Sequence, residues 1–179
     1  MKATVLIGLC RACATDIYGT KAPTPAYGDA VARLLMGTAA TESHLVYRRQ
    51  GDFGFSNNAG AWGIWQTEEG SVGDNVKMLK ARPELRARAA AFLYGDEGDE
   101  QMEGLLQVGT HGTLRMIHSW DRLAVLHARL HYFHKSDPVP AGLEAQAAYY
   151  KRWYNTAAGK GSVEKYIADW KRLVEPALG

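Results

Sequence analysis

Apolar residues recur at three- and four-residue spacing along most of the chain, which predicts a mainly α-helical protein. Such stripes predict a long helix over residues 27–47 and a second over residues 114–134. The prolines at positions 138 and 140 end the second one, because proline does not continue a helix. Further helices are expected from residue 76 onward and over residues 82–94, 101–108, 142–154 and 163–173. A first core helix carries Leu6, Leu9, Cys10, Cys13 and Ile17.

The helical pattern stops between residues 50 and 73, where Gly, Asn, Ser and aromatic residues dominate. This composition predicts a long structured loop or a small β-hairpin, and functional residues collect in such segments. No internal repeat, low-complexity tract or interdomain linker divides the chain. We therefore expect a single mainly α domain over residues 1–179.

Charge and cysteine content exclude several classes of protein. The formal net charge of +2 is too small to indicate binding to nucleic acid. No stretch approaches the roughly twenty apolar residues that a membrane-spanning helix needs. The apolar run after Met1 is short and is broken by Arg11, so it predicts no signal peptide. Cys10 and Cys13 are the only cysteines, which excludes a disulfide framework and favours two buried thiols on one helix face.

One acid, Glu42, stands near the end of an apolar helix and precedes a segment rich in glycine and tryptophan. A carboxylic acid holds its proton near neutral pH only when an apolar environment raises its pKa. Trp62 and Trp65 would supply that environment. Glycines let the backbone approach a bulky polymer closely, and tryptophans offer flat apolar faces for a ligand. The pattern predicts a proton donor for cleavage of a glycosidic bond, beside a groove lined by residues 56–66.

These residues resemble the core of the lysozyme-like lytic transglycosylases, and most of all phage-encoded cell-wall hydrolases. The resemblance covers residues 38–69 and implies a lysozyme-like domain that needs no metal or cofactor. It implies cleavage of the β-1,4 bond between N-acetylmuramic acid and N-acetylglucosamine in bacterial peptidoglycan. In that family Glu42 would be the catalytic acid/base, and Ser43 would support it. The expected lining of the sugar groove is Ser56, Gly60, Trp62, Gly63 and Gln66.

The same resemblance implies a tyrosine beside the acid. The segment that begins Tyr154-Asn155 and runs to Val163 is similar to the family segment that contributes it. Tyr132, near the end of the helix predicted over residues 114–134, fits that place as well, and we favour it slightly. Tyr154 belongs to an aromatic set more typical of helix-packing core: Trp120, Tyr149, Tyr150, Trp153, Tyr154, Tyr166 and Trp170.

Asp52 is a candidate second carboxylate, because it follows Glu42 by ten residues. The separation of two such carboxylates governs whether a glycosidase inverts or retains configuration. If Asp52 faces the groove, hydrolysis by water is expected. If it is instead a solvated loop residue, which we favour, Glu42 acts with the acetamido group of the substrate and an anhydro sugar results. Glu68 and Glu69 are further candidates.

His127, His131 and His134 share one face of a predicted helix. The first and last lie about 10 Å apart along the helix axis, too far to share one tetrahedral zinc ion easily. The zinc-protease pattern HExxH is absent from the chain. We therefore expect solvated or packed histidines and no metal, which leaves a zinc peptidase that cuts peptidoglycan as a minor alternative.

A second alternative is a non-catalytic component of a phage particle that binds cell walls and keeps the lysozyme fold. In either case the partner would be the peptidoglycan glycan strand, at the bacterial cell wall in the periplasm or at the exterior. Without an export signal, such a protein would be released through a membrane lesion, injected, or carried in a virion.

Overall fold

The computed structural model describes residues 3–18, 24–46, 60–95, 98–155, 159 and 161–178. Nine α-helices lie within these ranges, together with two π-helical turns, a short 3-10 turn and an isolated β-bridge. The prediction of a mainly α protein is confirmed. The helices are α1 Ala3–Asp16, α2 Pro25–Ser43, α3 Glu69–Ala81, α4 Pro83–Tyr94, α5 Asp99–Gln107, α6 Gly109–Ser119, α7 Asp121–Phe133, α8 Leu143–Tyr150 and α9 Val163–Asp169.

Helix α2 is bounded by local backbone chemistry at both ends. Thr24 caps its start by accepting a hydrogen bond from the Tyr27 N–H, and Pro25 occupies the first turn, where proline is tolerated. The helix ends at Ser43 rather than at residue 47, because His44 and Leu45 adopt left-handed backbone angles with φ of 52° and 62°. This early end turns the chain away just after Glu42.

The prediction of one helix over residues 114–134 is wrong, because the helix is interrupted at Trp120. Trp120 has an extended backbone, with φ of −116° and ψ of 95°, and separates α6 from α7. The apolar stripe runs through the break because both helices face the same core, so periodicity alone does not show the interruption. The loop expected over residues 50–73 is also shorter at its end, because α3 begins at Glu69.

The core is built around helices α2 and α7. Helix α7 packs against α1, α2, α3, α4 and α6, and α2 also contacts α8 and α9. Cys10 and Cys13 of α1 are fully buried, as predicted, and burial raises the pKa of both thiols. Within the described ranges, no helix combines the length and apolar character that crossing a membrane requires. This packing leaves the C-terminal end of α2 facing the segment that follows α8.

Candidate active site

A cavity of about 840 Å³ opens where five parts of the chain meet. They are the end of α2, the turn over residues 60–68, the start of α3, one side of α7, and the segment from the end of α8 into α9. Its described lining carries carboxylate, amide, hydroxyl, imidazole and ammonium groups, and we call it the site cavity. The residues most important for its chemistry are Glu42, Gln66, Glu68, His131, Tyr150 and Lys165.

Glu42 projects into the site cavity from the last turn of α2. Its Oε1 accepts a hydrogen bond of 2.6 Å from the Tyr150 hydroxyl. Burial raises the pKa of the Glu42 carboxyl above its ordinary value, while hydrogen bonds from Tyr150 and Asn155 and the charge of Lys165 act in the opposite direction. The negative charge of Glu68 raises this pKa further. Glu42 therefore keeps its proton to a higher pH than a solvated glutamate does.

The tyrosine beside the acid is Tyr150, which the sequence assigned to the helix-packing core. Tyr132, the slightly favoured candidate, is buried, and its hydroxyl lies 2.7 Å from the Thr38 hydroxyl, outside the described lining of the site cavity. Tyr154 does line the cavity, and its hydroxyl donates to the Trp65 carbonyl oxygen at 2.7 Å. Tyr150 thus occupies the position for which Tyr132 and Tyr154 were candidates.

A π-helical turn over Lys151–Asn155 explains how the end of α8 serves the cavity. In an α-helix, a residue and the one five positions later differ in direction by about 140°. The wider π-helical turn bonds residue i to residue i+5, so those two side chains point to similar sides. Asn155, five residues after Tyr150, lines the site cavity beside it for this reason, while Tyr154, four residues after Tyr150, lines it as well. Periodicity at 3.6 residues per turn gives no signal of this arrangement.

The segment before α3 forms a tight turn closed by a β-bridge. The backbone N–H groups and carbonyls of Trp62 and Thr67 pair at 2.9 and 2.8 Å. Within the turn, Gly63 and Gln66 adopt left-handed φ values of 73° and 50°. The Gln66 side-chain amide donates to the Gly63 carbonyl oxygen at 2.8 Å, and Gln66 lines the site cavity. A non-glycine residue held at positive φ is strained, and such strain collects at functional sites.

Both tryptophans of this turn belong to the core. Trp62 and Trp65 are 1% and 0% exposed, so neither has a free face on which a sugar could stack. The Trp65 indole N–H donates to the Leu35 carbonyl oxygen at 2.8 Å, which ties the turn to the helix that carries Glu42. Their function in the structure is to fix the turn, not to bind ligand.

The other predicted groove residues differ in position. Ser43 lines the site cavity, but its hydroxyl donates to the Ala39 carbonyl oxygen at 3.0 Å in its own helix. Gly60 is exposed, with φ of 118°, at the start of the turn. Ser56 and Asp52 lie outside the described residues, so the candidate second carboxylate at Asp52 stays a prediction.

Glu68 is the other carboxylate in the described lining of the site cavity. It is exposed and stands immediately before the first residue of α3. Its effect on the Glu42 pKa shows that the two acids interact electrostatically. Glu69, the remaining candidate, is exposed at the start of α3 and is absent from the described lining.

Lys165 supplies positive charge close to Glu42 in the site cavity. Its ammonium group donates to the Thr41 carbonyl oxygen and, at 2.8 Å, to the Asp169 carboxylate. Asp169 also accepts a hydrogen bond of 2.6 Å from Arg172. The lysine is therefore held near Glu42 by its own network, where it stabilises the ionised form of the acid.

His127 and His131 of α7, and His134 immediately after its last residue, are held by hydrogen bonds. Asn75 donates to His127 Nδ1 at 3.2 Å, and its carbonyl oxygen accepts from His134 Nε2 at 3.2 Å. His131 instead faces the site cavity. Among the residues that the structure describes, no group of three or more His, Cys, Asp or Glu side chains is arranged to hold a metal ion.

Comparisons of the chain with protein-family models, curated proteins and solved structures found no match. Function must therefore be inferred from the residues and geometry of the site cavity.

Proposed function

We propose that this protein cleaves the β-1,4 glycosidic bond between N-acetylmuramic acid and N-acetylglucosamine in bacterial peptidoglycan, with Glu42 as general acid/base. The observation that carries the proposal is a partly buried glutamate at a helix end, in a large cavity lined by polar and tyrosine side chains, with a raised pKa. Glycosidases need such an acid to protonate the leaving oxygen. The resemblance of residues 38–69 to the lytic transglycosylases adds the substrate and a lysozyme-like arrangement of the domain.

The neighbours of Glu42 fit both states of an acid/base. Because Tyr150 donates to Oε1, the protonated acid carries its proton on Oε2. When that proton passes to the glycosidic oxygen, Tyr150, Asn155 and Lys165 stabilise the carboxylate that remains. The same carboxylate then accepts a proton from the incoming nucleophile, which restores the acid.

The nucleophile distinguishes two versions of the reaction. With Glu68 or Asp52 as a second carboxylate, water attacks and the product carries a reducing end. With Glu42 alone, the substrate's acetamido group assists and the sugar's own 6-hydroxyl closes a 1,6-anhydro ring. Mass spectrometry of the released sugar ends separates the two. The exposed position of Glu68 and its interaction with Glu42 are compatible with either reaction.

The proposal is tested by replacing Glu42 with glutamine and measuring the clearing of a peptidoglycan suspension. Loss of a positioned general acid lowers the rate on the order of 10²- to 10⁴-fold. Glu144→Gln is the matched control, because Glu144 is an exposed acid in the first turn of α8, outside the described lining. Full activity in Glu42→Gln would exclude Glu42 as the acid.

Sedimentation of Glu42→Gln with cell walls, set beside lysis by the wild-type protein, separates an enzyme from a wall-binding particle component. If wild-type protein sediments with cell walls and releases no sugar fragments, binding without turnover is the function. If lysis is present and insensitive to a metal chelator, a zinc peptidase is excluded as well. For an enzyme, we place the reaction at the cell wall and propose a phage-encoded origin, with release at lysis or carriage in a virion.

A further inference from the structure

A serine and a histidine form a hydrogen-bonded pair at another part of the site cavity. The Ser71 hydroxyl of α3 lies 2.9 Å from Nδ1 of His131 on α7. The opposite ring nitrogen, Nε2, lies 2.7 Å from the Trp153 carbonyl oxygen, within the π-helical turn. Ser71 and His131 both line the cavity, and the Glu42 reaction uses neither of them.

The direction of these hydrogen bonds follows from the acceptors. A carbonyl oxygen only accepts, so His131 Nε2 carries the hydrogen. Burial lowers the pKa of His131 to about 4, which leaves the ring neutral at physiological pH and its Nδ1 free to accept. The Ser71 hydroxyl is therefore the donor to Nδ1. A serine that points its proton at a fixed imidazole has the arrangement of an activated nucleophile.

The histidine is held in place on several sides. The Tyr154 ring packs against the imidazole at a tilt, with centroids 4.9 Å apart, and the Tyr132 ring meets it edge-on at 6.0 Å. The Trp153 carbonyl fixes the tautomer, which is the task that a carboxylate performs in a serine–histidine–aspartate triad. The three groups thus form a chain of serine, histidine and backbone carbonyl.

We propose that Ser71 and His131 form an esterase site, in which Ser71 is the nucleophile and His131 the general base, for short acyl esters of sugars and other polar alcohols. The proposal is independent of the Glu42 reaction, because it uses other residues and breaks another bond.

The start of α3 offers groups that would stabilise the oxyanion. The first α-helical bond there runs from the Val72 N–H to the Glu68 carbonyl oxygen at 3.1 Å. The N–H groups of Glu69, Gly70 and Ser71 precede it and lack an acceptor within the helix. The Glu68 side chain makes no capping hydrogen bond to them. Backbone N–H groups beside a nucleophile are the usual donors to a tetrahedral oxyanion.

The reaction balances without a cofactor. Ser71 Oγ attacks the acyl carbon while its proton moves to His131 Nδ1. The tetrahedral intermediate expels the alcohol oxygen, which takes that proton from His131, and the acyl group remains on Ser71. Water then attacks the acyl-serine while its proton moves to His131 Nδ1. When the second tetrahedral intermediate collapses, Ser71 Oγ takes that proton back from His131 and the carboxylic acid is released.

The lining of the site cavity restricts the substrate. Ala61 is the one aliphatic side chain other than glycine in its described lining, which otherwise consists of polar and tyrosine side chains. A long acyl chain would find a single aliphatic side chain there, whereas an acetyl group needs little apolar contact. The hydroxyl, amide and charged groups suit a polar alcohol such as an acetylated sugar.

The direct test is covalent labelling of the intact protein with a fluorophosphonate, followed by peptide mapping. A phosphonyl adduct on Ser71 is expected, together with its absence in Ser71→Ala. The matched control is Ser136→Ala, because Ser136 is exposed and absent from the described lining. It should label like wild type. If Ser71 of the wild-type protein stays unmodified after treatment with the fluorophosphonate, the proposal is overturned. This result does not depend on whether Ser71→Ala folds.

The kinetic test measures acetate release from the 6-O-acetyl derivative of methyl N-acetylglucosaminide. Ser71→Ala should lose at least about 100-fold in rate, as expected for a missing nucleophile, whereas Ser136→Ala keeps the wild-type rate. The rate should show an inflection near pH 4, set by His131 with Asp74, Lys135 and His134 as the charged groups around it. Equal acetate release by wild type and Ser71→Ala, with both folded by circular dichroism, would also overturn the proposal.

Discussion

The Tyr150 hydroxyl donates a hydrogen bond of 2.6 Å to Glu42 Oε1, which joins the end of α8 to the end of α2. The bond favours the ionised form of the acid, whereas burial favours the protonated form and prevails. The charge state of Glu42 is thus set by two opposing contributions from the same surroundings. Each can be altered separately by substitution.

Tyr150→Phe removes the hydrogen bond and keeps the aromatic ring. The Glu42 pKa should rise further, so the limb of the pH–activity profile where Glu42 loses its proton should move to higher pH. Wall cleavage at the optimum should fall by roughly tenfold to 100-fold, because a hydrogen bond to a charged group contributes about 1.5–3 kcal/mol. The measurement is turbidity clearing as a function of pH.

Tyr149→Phe is the control for this experiment. The Tyr149 hydroxyl donates to the Asp137 carbonyl oxygen at 2.9 Å, and Tyr149 is absent from the described lining of the site cavity. Its variant should keep the wild-type pH profile. An identical shift in both tyrosine variants would show that the effect comes from altered packing rather than from the bond to Glu42.

Glu42→Gln should stabilise the protein at neutral pH. The pKa of Glu42 is higher in the folded protein than in the unfolded chain. The Glu42 carboxyl therefore does not lower the free energy of unfolding at pH values below its unfolded-state pKa. That free energy falls as the pH rises toward the folded-state pKa of Glu42. Glutamine does not titrate, and its carbonyl oxygen still accepts from Tyr150. The variant's Tm should exceed that of wild type by a few degrees at pH 7 and converge with it at acidic pH.

The convergence is the part of this result that identifies titration as the cause. Glu144→Gln provides the comparison, because Glu144 is exposed and a change in Tm common to both variants would reflect net charge. If the Tm difference between Glu42→Gln and wild type is the same at pH 4 and pH 7, titration of Glu42 is not its cause.

One buried histidine, His127, and one partly buried histidine, His131, should make the fold sensitive to acid. Burial lowers the pKa values of His127 and His131 to about 4, against an ordinary value of about 6.5. In the unfolded chain these histidines bind protons at a higher pH than they do in the folded chain. Their contribution to the free energy of unfolding is therefore present above about pH 6.5 and is lost as the pH falls toward 4. Urea unfolding at pH 7, 5.5 and 4 should show a falling free energy of unfolding.

His127→Gln tests this assignment, because its carbonyl oxygen is able to replace Nδ1 as acceptor for Asn75. The variant should lose part of the pH dependence between 6.5 and 4. A slope equal to that of wild type would mean that the titrating groups lie elsewhere.

Gly63→Ala should lower the free energy of unfolding by about 1–3 kcal/mol. Gly63 has φ of 73°, and an added Cβ would lie 2.8 Å from Ile117 Cγ2. The comparison variant is Gly104→Ala in α5, where an added Cβ meets nothing within 4 Å and alanine favours the helix by about 0.5–1 kcal/mol. The two changes should shift thermal unfolding in opposite directions, and a stabilising Gly63→Ala would refute the steric argument.

Periodicity predicted the helices well where one apolar face meets one core. Helix α1 carries the apolar residues expected of the first helix from Leu6 to Cys13, and α4 lies close to the expected range of residues 82–94. The helix break at Trp120 was not predicted from the periodicity, because apolar residues on both of its sides point into the same core. The early end of α2 depends on left-handed backbone angles at His44 and Leu45. Neither residue is a glycine, so the sequence did not indicate a helix end there.

For the candidate site, Glu42 and Gln66 were placed in the cavity from a local motif, while Tyr150 was not. Tyr150 stands in a run of aromatic residues, and its neighbour Tyr149 packs in the core as such runs usually do. Which tyrosine reaches Glu42 depends on the packing of α8 against α2 and α9, a relation between distant segments. Trp62 and Trp65 were expected to face the ligand, because aromatic residues beside such a motif suggest a binding surface. In the structure both are buried and anchor the turn.

The π-helical turn over Lys151–Asn155 makes the site depend on the type of helix as well as on side-chain identity. If the same residues adopted an ordinary α-helix, the Asn155 side chain would point about 140° away from that of Tyr150. Asn155 would then leave Glu42, and the Trp153 carbonyl would shift relative to His131. A change of helix type over five residues would thereby alter two proposed reaction centres at once without changing any of their side chains.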